Sequence, residues 1–215
     1  MENKILNITN GDCFNEYFIS KFGEVAVPFC EAMMDGDAVA NIYSQQFIEL
    51  RAKSLNVTTK EYRSKMHVYD ALNNKRYTSL RLWFGKDTFC QVNLLTLLAY
   101  LEQIEYRGEL KLNYIDDETF EVSESDIDVR LGVYGKIYED VLISRNAPDE
   151  VGILSARAID LFFDYHSDSG ELAKTVKDNA HKEKSELIRI LLEKSKDYGL
   201  SDLQAKKLIH SNLPR

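Results

Sequence analysis

Apolar positions change their period along the chain, and the clearest change lies between Leu80 and Glu102. Leu80 to Phe84 is a short apolar run with aromatic bulk, the composition of a core strand. Gly85-Lys86-Asp87 interrupts it, and Leu94, Leu95, Leu97, Leu98 and Leu101 then recur at helical spacing. The stretch predicts a buried strand feeding through a tight polar turn into a long helix.

The same alternation precedes it. Lys4 to Ile8 reads as a first strand ending in Thr9-Asn10-Gly11-Asp12, where Asn-Gly signals a turn. Asp12 is placed to cap the next helix, which carries Phe14, Tyr17, Phe18 and Phe22 on one face and stops near Gly23. Glu24 to Phe29 is a second strand, and Pro28 near its end points to an edge position or a strand exit. The acidic loop Cys30 to Asp37 leads to two helices, about Asn41–Leu55 and Thr59–Leu72. Tyr77–Phe84 and Glu109–Tyr114 are the third and fourth strands, with a short fifth over Thr119–Val122. From Ser125, the spacing of Ile127, Leu131, Tyr134, Tyr138 and Val141 predicts a helix interrupted by Gly132 and Gly135. Beyond Pro148 the pattern is wholly helical. The expected fold is α/β, a mostly parallel sheet with flanking helices in Rossmann-like layers, followed by an α-helical C-terminal part. The division falls between residues 1–122 and 123–215.

Composition narrows the function classes. The 215 residues are 44% hydrophobic, enough for a substantial core. A net charge of −8 argues against nucleic-acid or membrane-surface binding by the whole protein. Residues 171–215 nevertheless carry 10 Lys/Arg against 7 Asp/Glu, so the tail is mildly basic and the body strongly acidic. Three cysteines make no disulfide framework, and the opening residues have no targeting character; a cytoplasmic setting is expected.

Loops after parallel strands share one edge of the sheet, where such folds bind ligands. That edge brings together Asn10, Gly11 and Asp12, then Cys30 and Glu31, then Gly85, Lys86 and Asp87 running on to Cys90 and Gln91. Its carboxylates suit a hard cation or an acid–base pair. Asp12 and Asp87 are more readily explained as helix caps; Glu31 follows a strand directly and has no helix to cap. Cys13 and Cys90 fall in first turns of helices, where a thiol pKa is lowered. No Cys or His spacing matches a zinc pattern, and His67, His166, His181 and His210 all lie outside these loops, so spacing assigns no metal ligands. No glycine-rich phosphate loop and no GxSxG is present. Backbone N–H groups of Asn10-Gly11-Asp12 could meet an anion, although Asp12 would stand in its way. Arg51, in the helix after the acidic loop, is either a solvated side chain or a cation turned back toward that edge. Glu183 to Leu213 reads as helix, glycine turn, helix, which also describes a helix-turn-helix.

Several of these segments together resemble the bacterial domain of unknown function 1835 family. The likeness runs through Ile5-Leu6-Asn7-Ile8-Thr9-Asn10-Gly11-Asp12, Val27 to Gly36, and Arg51-Ala52. It is strongest at Leu82-Trp83-Phe84-Gly85-Lys86-Asp87 with Gln91, Leu94 and Leu95, and returns at Tyr198-Gly199-Leu200-Ser201. This chain departs from the family pattern at Cys30, Glu31, Asp37 and Gly85-Lys86. The resemblance implies an α/β N-terminal domain with a helical C-terminal part and matches Asp12, Glu31, Arg51, Asp87 and Gln91; it implies no activity and no cofactor.

The leading expectation is a small polar ligand, nucleotide-like or assisted by a divalent metal, bound among Asn10, Gly11, Asp12, Glu31, Arg51, Gly85, Lys86, Asp87 and Gln91. Self-association is open. The alternative is a regulatory module whose C-terminal tail contacts DNA or a protein partner.

Overall fold

The structure is a computed structural model and describes residues 4–74 and 77–213. Strands β1 (Ile5–Asn10), β2 (Ala26–Phe29), β3 (Ser79–Phe84), β4 (Glu109–Ile115) and β5 (Val122–Asp128) form one sheet in the order β2-β1-β3-β4-β5. The first four run parallel and β5 is antiparallel to β4. Helix α1 (Asp12–Phe22) follows β1. The β2–β3 crossover holds α2 (Gln45–Ser54), α3 (Thr59–Lys65) and α4 (His67–Asn73), and α5 (Thr88–Gln103) follows β3. The remainder is helical: α6 (Tyr134–Tyr138) running into a π-turn at Glu139–Ser144, then α7 (Ala156–Tyr165), α8 (Glu171–Asp178), α9 (Lys184–Lys194) and α10 (Asp202–Asn212). The α/β sheet with a helical C-terminal part is therefore as the sequence pattern predicts. No helix among the described residues is long and apolar enough to cross a membrane.

The strand pattern explains the layering. Side chains alternate across a sheet. Leu6, Ile8, Leu80, Leu82, Phe84, Leu110 and Leu112 share one face and bury into the main core with α5 and the C-terminal helices. The opposite face carries Asn7, Thr9 and Trp83, and α1 covers it through Phe14 and Phe18. Helix α5 is buried nearly all round, from Thr88 to Leu101, because the sheet lies on one side of it and α6 and α7 on the other. A helix that is apolar on every side belongs at a domain's centre.

Four sequence expectations are corrected. The short strand at Thr119–Val122 and the helix from Ser125 give way to β5, which pairs Leu112 with Ile127 and Lys111 with Asp128. A bulge at Asp126 (φ 56°) adds residues to that strand, and Asn113 Oδ1 accepts its N–H at 3.0 Å. Ladder hydrogen bonds to β4 thus outweigh the helical spacing at its start, and the helix begins only at Tyr134. The Thr59–Leu72 helix is broken at Met66 into α3 and α4. The helix placed at Asn41 starts at Gln45, capped by Ser44.

The connection from β2 to α2 is irregular, and a buried ion pair holds it. Arg51 and Glu31 have side chains that are 0% exposed. Arg51 Nε donates to Glu31 Oε2 at 3.2 Å, Nη2 forms an ion pair with the same oxygen at 3.1 Å and donates to Ala32 O at 2.9 Å, and Nη1 donates to Asp35 O and Asp37 O at 2.7 and 3.2 Å. The Tyr62 hydroxyl donates to the other Glu31 oxygen. One guanidinium therefore gathers the whole loop. Removing one partner of such a pair strands a buried charge. Arg51→Ala is expected to lose about 3–5 kcal/mol of unfolding free energy. Urea denaturation checks this; a loss under about 1 kcal/mol, the scale of a surface pair, would contradict it.

Candidate functional site

The loops after β1 and β3 lead to helices on opposite faces of the sheet, α1 on one and α5 on the other. Such a reversal in strand order opens a crevice at the strand ends, the usual ligand position in this class of sheet. Here the crevice is bridged by side chains. Asn10 Nδ2 donates to Cys90 Sγ at 2.8 Å, and Asn93 Nδ2 donates to Asn10 Oδ1 at 3.1 Å. Asn93 Nδ2 also reaches Glu31 O at 2.6 Å, and its Oδ1 accepts from Met33 N at 3.0 Å. Fully buried Asn93 thus ties the ends of β1 and β2 to α5. Sequence reading passed over it, because a lone Asn in a leucine-rich helix carries no spacing signal.

Beside this bridge three metal-ligating side chains converge. One ligand atom each from Asp87, Cys90 and Asp117 lies within 4.8 Å of the others. Asp87 is the N-cap of α5, accepting from Cys90 N at 2.9 Å, which confirms that capping expectation. Cys90 Sγ donates weakly to Asp117 Oδ1 at 3.5 Å. Asp117 comes from the β4–β5 turn. It is exposed as a residue, yet its carboxyl end is pressed against Asp87, Cys90 and Gly85. Burial of that end, followed by the hydrogen bond and charge of Asp87, pushes its pKa up to about 8. Burial likewise raises the Cys90 thiol well above its ordinary value, so here desolvation outweighs the helix end that was expected to lower it. In sequence, Asp116-Asp117 is no more than a polar turn between two strands; β4 brings it to the edge.

A cleft of about 390 Å³ opens over the cluster, lined in part by Lys86, Asp87, Asp117, Ser123 and Lys196. Lys86 pairs with Glu124, and Lys196 with Glu118 at 2.9 Å. The far wall is the turn before α10. Thr88 Oγ1 donates to Asp197 O at 3.1 Å, and Gly199 (φ 69°) lies directly against the Asp87 carboxylate.

The other expected residues lie apart. Gly11, not Asp12, is the N-cap of α1, and its N–H is spent on Phe29 O at 3.0 Å. Asp12 sits inside the helix. Its carboxylate accepts from Lys65 at 2.7 Å and from the Cys30 thiol at 3.3 Å, and the Lys65 bond chiefly lowers its pKa. Burial, then Asp12, pushes the Cys30 thiol up to about 12. Glu31 and Arg51 are enclosed in their ion pair, away from solvent. Gln91, also buried, is a brace: Nε2 donates to Gly85 O at 2.9 Å and Oε1 accepts from Ser155 N at 3.1 Å. In the tail, α9 and α10 pack on α8 and on each other, and Lys207 pairs with Asp35 at 3.3 Å. No protein-family model, curated protein or solved structure matches the chain.

A raised Asp117 pKa has a defined sign. The folded state holds the proton that the unfolded state releases near 4, so this stabilisation is complete below about pH 4 and lost as pH rises through about 8. His166 acts in the opposite direction: burial and then Arg145 depress its pKa to about 4, so its contribution is lost as pH falls from about 6.5 to about 4. Comparing the parent with Asp117→Asn cancels the His166 part. The stability difference between them is expected to move in favour of Asp117→Asn as pH rises from 4 to 8, measured by urea midpoints. A difference flat with pH would show an ordinary carboxylate.

Proposed function

We propose that this protein binds a divalent cation of the zinc class at Asp87, Cys90 and Asp117, and that a small polar ligand in the cleft completes the coordination. The observation that supports the reading most is the convergence of two carboxyls and a thiol within 4.8 Å, from α5 and the β4–β5 turn. Without a cation the cluster must hold extra protons to avoid like-charge repulsion; a cation takes their place. Two oxygens and one sulfur suit a borderline ion, and three protein ligands leave a position open.

The cleft's charge supports a cation over a bare anion. Asp87, Asp116, Asp117, Glu118 and Asp197 line it against Lys86 and Lys196, and both lysines already have carboxylate partners. A free phosphate would meet more repulsion than attraction there. A ligand that brings its own metal, or a metal that recruits a carboxylate or phosphate, escapes that repulsion. Kinship with the domain of unknown function 1835 family stays a proposal beside this one; it rests on Leu82-Trp83-Phe84 and Asp87 and adds no activity.

Cobalt(II) titration of the full chain tests the reading. Saturable binding with a thiolate-to-cobalt charge-transfer band is expected, the band lost in Cys90→Ser and affinity lowered in Asp87→Asn. Affinity is expected to rise with pH, because binding displaces protons from Cys90 and Asp117. A protein that takes up no cobalt at pH 8 would sink the proposal.

A further inference from the structure

Both carboxyls of the strand-end cluster are seated against glycines, and the two glycines come from opposite halves of the chain. A Cβ on Gly85 would fall 2.1 Å from Asp117 Oδ2 and 2.5 Å from its Cγ. A Cβ on Gly199 would fall 2.1 Å from Asp87 Oδ1 and 2.6 Å from its Cγ. Each carboxyl occupies the volume that a side chain on its glycine would fill.

We propose that Gly85 is the positioning residue of the cluster: its missing side chain forms the seat through which Asp117 reaches from the β4–β5 turn to Cys90 and Asp87. The proposal deepens the cation reading and rests on it. Gly199 seats Asp87 in the same way from the C-terminal turn, so the α/β half and the helical half each fix one ligand. Ordinary contact begins at 3.4 Å, so an Ala side chain at 85 drives Asp117 outward by roughly 1 Å. That exceeds the ~0.5 Å within which a preorganised site tolerates displacement. Gln91 holds the Gly85 carbonyl at 2.9 Å from inside α5, so moving Gly85 instead would stretch that buried bond. Gly85 lies outside the left-handed region, whereas Gly199 is at φ +69°, so Ala at 85 introduces the clash without backbone strain. This explains why a glycine follows Phe84 directly. A larger residue there would compete with Asp117 for the same space.

The test is a double-mutant cycle on cobalt(II) affinity with the parent chain, Gly85→Ala, Asp117→Asn and the two combined. Gly85→Ala is expected to weaken binding about tenfold or more, the scale for a residue that orients a metal ligand. Added to Asp117→Asn, it is expected to change affinity less than about twofold, since it acts only through the Asp117 carboxyl. An unchanged Gly85→Ala affinity overturns the role, and so does an equal further loss in the Asp117→Asn background. Thermal melts decide the case in which Gly85→Ala folds poorly: Gly85→Ala with Asp117→Ala empties the contested volume and is expected to recover the melting temperature of Asp117→Ala alone. Failure to recover overturns the seat. A parent chain that binds no cobalt overturns the cation reading and this role together, whereas a binding parent with an unaffected Gly85→Ala removes this role alone.

Discussion

The Arg51–Glu31 pair is the constraint on which both halves of the molecule depend. Taking the two charges out of water costs several kcal/mol per ion, so they persist only where every donor is satisfied. Arg51 meets that condition by binding the loop itself: Glu31, Ala32, Asp35 and Asp37 all accept from it. The loop then becomes a docking surface. The Tyr165 hydroxyl donates to Asp35 Oδ1 at 3.0 Å, His166 Nε2 meets Met34 O at 3.1 Å, and the Tyr138 hydroxyl donates to Val39 O at 3.1 Å. Charged residues that looked like a ligand set in the sequence are the fastening between sheet and C-terminal helices.

From that fastening a polar chain runs outward to the candidate site. Glu31 and Met33 present their backbone to Asn93, Asn93 holds Asn10, and Asn10 donates to Cys90. Each link is buried or half-buried, where an unpaired polar group would cost about 1–3 kcal/mol. The site is therefore held from below by satisfied hydrogen bonds and from above by the turns carrying Asp117 and Gly199. Such support is what keeps a carboxyl near another carboxyl despite their repulsion, and Asp117 meets the remaining cost by keeping its proton.

Local chemistry made some of this legible. Asp87 before a leucine-rich run announced an N-cap, and it is one. Pro28 pointed to an edge position or a strand exit, and β2 is at the edge. The position of the cluster at the strand ends followed from α/β alternation, and two of its three members, Asp87 and Cys90, lie within the Gly85–Gln91 segment. Asp12 was misread as a cap, because capping depends on the backbone of Gly11, which the residue type alone does not reveal. Asp117 was hidden for another reason. It reaches Asp87 only because β4 pairs beside β3, with Trp83 opposite Asn113 and Phe84 opposite Tyr114.

The sequence by itself determined the periods: where strands alternate, where the leucines of α5 recur at helical spacing, and where a polar turn divides them. These are local properties, set by side-chain burial within a few residues. Tertiary structure decided the partners. It put Glu31 and Arg51 inside rather than at the edge, turned a helical spacing at 125–128 into a strand by offering it the free edge of β4, and brought Asp117 over Gly85. The burial of Arg51 with Glu31 and the seating of Asp117 turn on contacts between residues 20 or more positions apart (Arg51 to Glu31, Asp117 to Gly85 and Cys90), and β5 turns on a hairpin pairing with β4 such as Lys111 with Asp128. The strand, turn and helix from Leu80 to Glu102 supply one side of the candidate site; the β4–β5 turn and the C-terminal turn supply the other.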